Sequence, residues 1–134
     1  MKAVYVDTSV LVSLYFEEET PQNESFKKIL NSAEEVLSSS LIESEFLSVL
    51  SREKLAFSEG VQFLRQVSLV LPDRSLTPEF QRIFSTGFLR GADAHHLACA
   101  LYLDPTATEL VFLTADLQQK DMAKQLNFAA KITA

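Results

Sequence analysis

Four acidic positions carry the chemical interest of this chain: Asp7, Glu45 (or its neighbour Glu43), Asp93 and Asp116. Carboxylates gathered without a nearby lysine or arginine repel one another. A hard divalent cation that takes oxygen ligands, Mg2+ or Mn2+, relieves that repulsion. Such a cation activates water for attack on a phosphodiester and stabilises charge on the leaving oxygen, so no histidine or lysine is needed as a base. Each acid also has a plain structural explanation. Asp7, Asp93 and Asp116 all suit the N-cap of a helix, and Asp116 with Gln119 three residues on matches a capping box. Spacing alone leaves both readings open.

The elements that position these residues can be read in order. Val4-Tyr5-Val6 predicts strand 1, followed by a first helix capped within Asp7-Thr8-Ser9 and ended by Glu17-Glu18-Glu19. Thr20-Pro21 opens a second helix with Phe26, Ile29 and Leu30 on one face. Val36-Leu37-Ser38 predicts strand 2, and Ser39 or Ser40 caps a helix over about 40–52. A fourth helix covers about 58–67, and Leu69-Val70-Leu71 predicts strand 3 before Pro72. Thr77-Pro78 starts a fifth helix, and Gly87 and Gly91 bracket a break before the alanine-rich helix that carries Asp93. Leu110-Val111-Phe112-Leu113 has the unbroken apolar character of a strand buried on both faces. A last helix over about 117–126 ends at Asn127 in the left-handed position, with Phe128 folding back. Ala130-Lys131-Ile132 suggests a final short strand.

Strands alternating with helices imply one α/β domain over 1–134: a short parallel sheet of four or five strands with helices on both faces. In such a sheet, ligands bind beyond the carboxyl ends of the strands where strand order reverses. Asp7 and Asp116 follow strands and therefore share that edge. The helices carrying Glu43, Glu45 and Asp93 can reach it. A helical projection puts Glu43 and Glu45 at opposite borders of the apolar stripe and does not choose between them.

Composition bounds the function more loosely. The 134 residues are 47% hydrophobic and 22% charged, which suits a globular chain with a single core. The net charge of −6 argues against nucleic-acid binding by basic charge alone, but a cation-loaded acidic site inverts the local field. The one cysteine, Cys99, excludes an internal disulfide and reads as a buried filler. No apolar run is long enough to span a membrane and no signal peptide is evident, so the expected location is the cytoplasm.

Val6-Asp7-Thr8-Ser9, the helical Glu45-Phe46-Leu47-Ser48-Val49-Leu50, residues 93–100 and Thr114-Ala115-Asp116 resemble, in order and spacing, the motifs of a PIN domain. More closely, the chain resembles the VapC-type toxins of toxin–antitoxin pairs, from residue 4 to about 126. The resemblance implies a PIN-like three-layer fold and a Mg2+- or Mn2+-dependent endoribonuclease. Its site would be formed by Asp7, Glu45, Asp93 and Asp116, with Glu45 favoured over Glu43 and with Ser9 and Thr114 supporting the cluster. It also implies an RNA substrate, a small antitoxin whose tail lies on the toxin's helices, and a homodimer. Leu14, Tyr15, Phe16 and Phe26 are candidates for the antitoxin groove, although core burial is the commoner fate of such residues. His96 matches a family histidine with no firm ligand role, so packing or a supporting hydrogen bond is expected. His95 reads as exposed. Arg90 could meet a substrate phosphate, or be a solvated loop arginine, and Lys120 is a weaker candidate of the same kind.

Two rivals stand beside this reading. A phosphoaspartyl enzyme could use Asp7, but position 9 is Ser where a haloacid-dehalogenase-like site wants a second Asp. A receiver-like site wants paired acids near strand 1 and a lysine after its last strand, and neither is present. The other rival is a PIN fold that processes or binds RNA without being a toxin.

Overall fold

The computed structural model describes residues 2–16 and 19–131, with the backbone alone for 129–131. Glu17 and Glu18, expected at the end of the first helix, and Ile132, expected in the last strand, lie outside the described residues. The elements run β1 (Ala3–Val6), α1 (Thr8–Tyr15), α2 (Pro21–Ser32), β2 (Glu35–Ser39), α3 (Leu41–Arg52), α4 (Ser58–Leu64), β3 (Ser68–Val70), α5 (Thr77–Thr86), α6 (Gly91–Leu103), β4 (Val111–Leu113), α7 (Leu117–Gln125) and β5 (Ala129–Lys131). The strands form one parallel sheet in the order β3-β2-β1-β4-β5.

Alternation along the central strands divides the core in two. Val4 and Val6 of β1, with Val111 and Leu113 of β4, pack against Val10 and Leu11 of α1, Phe26 of α2, Ile42, Phe46 and Leu50 of α3, and Leu64 of α4. Tyr5 and Phe112 point to the opposite face, onto Ile83 of α5, Leu97, Ala98 and Leu101 of α6, and Met122 and Ala123 of α7. The result is three layers, as the sequence predicts. Right-handed crossovers explain the partition: the chain travels β1 to β3 in one direction and β4 to β5 in the other, so its helices change faces. Strand order reverses between β1 and β4. Asp7 and Asp116 therefore flank the switch point.

The small residues of α6 serve close packing: Ala94, Ala98, Cys99 and Ala100 are all fully buried. Gly60 does the same for α4. A Cβ there would strike Leu50 Cδ1 and come within 3.1 Å of Phe46, so glycine lets α4 lie on α3 without displacing the Leu50 side chain. At the end of α7, Asn127 takes φ 80°, the Asn127 and Phe128 N–H groups donate to Lys124 O and Ala123 O, and Phe128 is buried. That is the left-handed cap expected from the sequence.

Several local expectations need correction. Strand 3 begins at Ser68 and Leu71 is 72% exposed, because Pro72 follows it and cannot extend the ladder. Helix α4 stops at Leu64 and a turn covers the next residues. Thr77 lies inside α5, and Ser75 Oγ, not Thr77, accepts from the first turn, at the Thr77 N–H. Of the two serines expected to cap α3, Ser39 does so, its Oγ accepting from Leu41 N–H, while Ser40 occupies the cap position without a side-chain bond. Among the described residues, no helix is long and apolar enough to cross a membrane.

Candidate active site

Asp7 ends β1 and caps α1, its Oδ1 accepting from Val10 N–H. Ser9 Oγ donates to the same oxygen at 2.6 Å, and Thr114 Oγ1 donates to Oδ2. The two hydroxyls also stitch the loop after β4 in place: Ser9 Oγ accepts from Ala115 N–H, and Thr114 Oγ1 from Asp116 N–H. Asp7 is 4% exposed. Burial pushes its pKa up, and the hydroxyls of Ser9 and Thr114, His96 and the Val10 N–H oppose that rise without cancelling it.

Asp116 caps α7 through Oδ1 and Gln119 N–H at 3.1 Å. The reciprocal half of the expected capping box does not form. The Gln119 side chain turns into the protein, fully buried, and neither its Nε2 nor its Oε1 has a hydrogen-bond partner.

Glu45 lies one turn into α3, where Thr8 Oγ1 donates to its Oε1 at 2.7 Å and His96 Nε2 stands 2.9 Å from the same atom. Burial raises the Glu45 pKa, but the bonds from His96 and Thr8 outweigh it and leave the carboxyl below its ordinary value. Glu43 is exposed and makes no hydrogen bond among the described residues. The helical phase of α3 separates them: Glu45 turns toward α1 and α6, Glu43 toward solvent.

Asp93 is not the cap of α6. Arg90 holds that position, with no side-chain bond, and Asp93 is the third helical residue. Its half-buried carboxylate has no hydrogen-bond partner among the described residues. Its pKa is raised, first by burial and then by the charge of Asp116, with Glu45 adding to it; His96 and Arg90 pull the other way. The cluster is therefore not free of cations, since Arg90 acts on Asp93 from an exposed position. Among the described residues, no three His, Cys, Asp or Glu side chains converge as a preassembled metal cage. Hydrogen bonds hold Asp7, Glu45 and Asp116, and Asp93, close enough to feel the charges of Asp116 and Glu45, is the unbonded acid.

His96 is 1% exposed and spans the site, with Nδ1 2.9 Å from Tyr5 Oη and Nε2 facing Glu45. The expectation for His95 is overturned: it is half-buried, with Nδ1 2.9 Å from Ser39 Oγ and 3.7 Å from Cys99 Sγ. The cause is that α6 lies against β2 and turns this face of the helix inward. Cys99 is a buried free thiol. Lys120 is half-buried on α7. Thr8 and Tyr5 escaped the sequence reading. A threonine after Asp7 and a tyrosine in a β-rich run carry no local signal of a partner 37 or 91 residues away.

An open groove of ≈ 600 Å³ starts at Thr8, Ser9 and Glu45 and runs between α1 and α3 past Ser13, Ser48 and Phe16. Of the residues considered for a partner groove, Phe26 is fully buried core. Leu14, Tyr15 and Phe16 line a separate ≈ 810 Å³ depression with Phe63 of α4.

A search of curated proteins returned no match. The PIN domain family model matches residues 4–125, a span that contains Asp7, Glu45, Asp93 and Asp116 and runs from within β1 to the end of α7. PIN domains are generally nucleases that bind nucleic acid and use divalent metal ions. With a parallel sheet whose switch point is flanked by Asp7 and Asp116, and a family match over nearly its whole length, the chain belongs to the PIN-domain family.

Proposed function

We propose that this protein is an endoribonuclease that hydrolyses RNA phosphodiesters with Mg2+ or Mn2+, at a site formed by Asp7, Glu45, Asp93 and Asp116. The observation that carries the reading is Asp93. Its carboxylate is half-buried, lacks a hydrogen-bond partner among the described residues, and is opposed in ionising by burial, Asp116 and Glu45. A capping role would use its oxygens, whereas a cation-binding role leaves them free. The donor set fits a hard cation, being all oxygen and net negative. A divalent cation bound there supplies an acidified water and charge stabilisation for phosphodiester hydrolysis.

The chain's own residues have separable tasks. Ser9 and Thr114 hold Asp7 rigidly, and Thr8 and His96 hold Glu45 by Oε1. Asp116 keeps Oδ2 uncommitted, and Asp93 has the rotational freedom to close on a ligand. Arg90, exposed and electrostatically coupled to Asp93, meets a substrate phosphate. The groove beside Glu45 offers the hydroxyls of Ser13 and Ser48 and the ring of Phe16 to a single strand.

The resemblance to VapC-type toxins supports the finer reading that the enzyme is the toxin of a VapBC-type pair. It acts as a cytoplasmic homodimer restrained by a small antitoxin that covers the depression by Leu14, Tyr15 and Phe63. The testing experiment is cleavage of a mixed RNA pool with Mn2+ by wild type and by Asp93→Asn purified identically. Cutting by wild type alone supports the nuclease; equal cutting by both assigns the activity to a contaminant and sinks the reading.

A further inference from the structure

We propose that His96 is a positioning residue: Tyr5 fixes its tautomer, and its Nε2–H holds Glu45 by Oε1 so that Oε2 stays open to a cation. What Glu45 does with Oε2 rests on the nuclease reading, but the relay itself rests on geometry alone.

The relay joins three elements. Tyr5 on β1 is fully buried, stacked on Phe112 at 5.3 Å between ring centroids and edge-on to His96 at 5.9 Å. His96 on α6 is 1% exposed and has a partner at each nitrogen, Tyr5 Oη at 2.9 Å from Nδ1 and Glu45 Oε1 at 2.9 Å from Nε2. Carboxylate oxygens only accept, so the bond to Glu45 requires the proton on Nε2. A neutral imidazole then has a bare Nδ1, which needs a donor, and the Tyr5 hydroxyl is placed to be that donor. An ordinary phenol carries its proton at neutral pH.

The consequence falls on Glu45, whose side chain is 31% exposed. A glutamate so placed on a helix would sample several rotamers. Here the hydroxyl of Thr8 and the His96 imidazole converge on one oxygen, Oε1. Among the described residues, Oε2 has no partner. Locking one oxygen and freeing the other is how supporting histidines orient a ligating carboxylate.

The test compares His96→Gln, His96→Asn and Tyr5→Phe with wild type. The Gln amide nitrogen falls near Nε2 and the Asn amide nitrogen near Nδ1, so the two variants disturb the core comparably but keep opposite ends of the relay. Mn2+ binding is read by calorimetry. We expect His96→Asn to lose about 10–100-fold in affinity, the usual effect of removing an outer partner of a ligand, and His96→Gln to keep most of it. The 15N spectrum of histidine-labelled wild type should show His96 protonated at Nε2 alone, and Tyr5→Phe should give a tautomer mixture. Equal losses in the Gln and Asn variants would reduce His96 to packing. A wild-type Nδ1–H tautomer, or protons on both nitrogens, would overturn the relay. Wild type that binds Mn2+ in this pattern but cuts no RNA would sink the nuclease reading and leave the positioning role standing. Wild type that binds no Mn2+ would sink the nuclease reading and the cation at Oε2, and the 15N tautomer alone would then decide the relay.

Discussion

The hydroxyl of Thr114 donates to Oδ2 of Asp7 across 107 residues of chain, joining the ends of the two central strands. It also accepts from Asp116 N–H, so one side chain sets the spacing between two of the acids. Thr114→Val keeps the shape and removes the hydroxyl. It should cost about 1–3 kcal/mol of stability, the penalty for stripping a partner from a buried charged group. Thr114→Ser should restore most of it. Urea denaturation of the three proteins is the check; a Val variant as stable as wild type would show the bond to be incidental.

Asp93→Asn removes charge from a carboxylate that has no hydrogen bond to lose. Burial and Asp116 both oppose its ionised form. The variant should therefore melt at or above the wild-type temperature at neutral pH. Wild type should gain melting temperature from millimolar Mn2+, since a ligand of the folded state stabilises it, and the variant should gain little. A variant that melts well below wild type would reveal a structural role instead.

Asp104 gives a pH-dependent signature far from the acids. Burial alone would raise its pKa, but Leu110 and Glu109 N–H groups donate to its Oδ2 at 2.8 and 2.9 Å and bring it below the ordinary 3.8. A carboxyl depressed by folding stabilises above its unfolded pKa, and that stability is lost as pH falls through the folded value. Wild type should thus exceed Asp104→Asn in stability at pH 7, and the gap should close below about pH 3.8. A gap that persists unchanged in acid would assign the effect to packing.

Gln119 buries an amide whose nitrogen and oxygen both lack partners. Gln119→Met fills similar volume without the desolvation cost. It should gain about 1–2 kcal/mol in chemical denaturation, the penalty of a buried unsatisfied polar group. A loss of stability would mean that the amide is bonded in solution.

The sequence by itself determined the periodic and local features of this protein. Apolar runs at β1 and β4, the left-handed Asn127 and the alanine packing of α6 follow from side-chain size, branching and backbone preference, which act over a few residues. The same information put Asp7, Asp93 and Asp116 beside helix starts. It did not separate a cap from a free carboxylate, because both occupy the first turn. Only tertiary structure showed Asp116 and Asp7 bonded as caps and Asp93 unbonded. It also turned Glu45 onto Thr8 and His96 and left Glu43 exposed, two positions that differ by a rotation about the α3 axis that matters only once α1 and α6 lie beside it. Tyr5, Thr8 and the inward turn of His95 were invisible for the same reason. A hydrogen bond depends on atoms meeting within about 3 Å, and partners 37 or 91 residues apart meet only when the sheet closes.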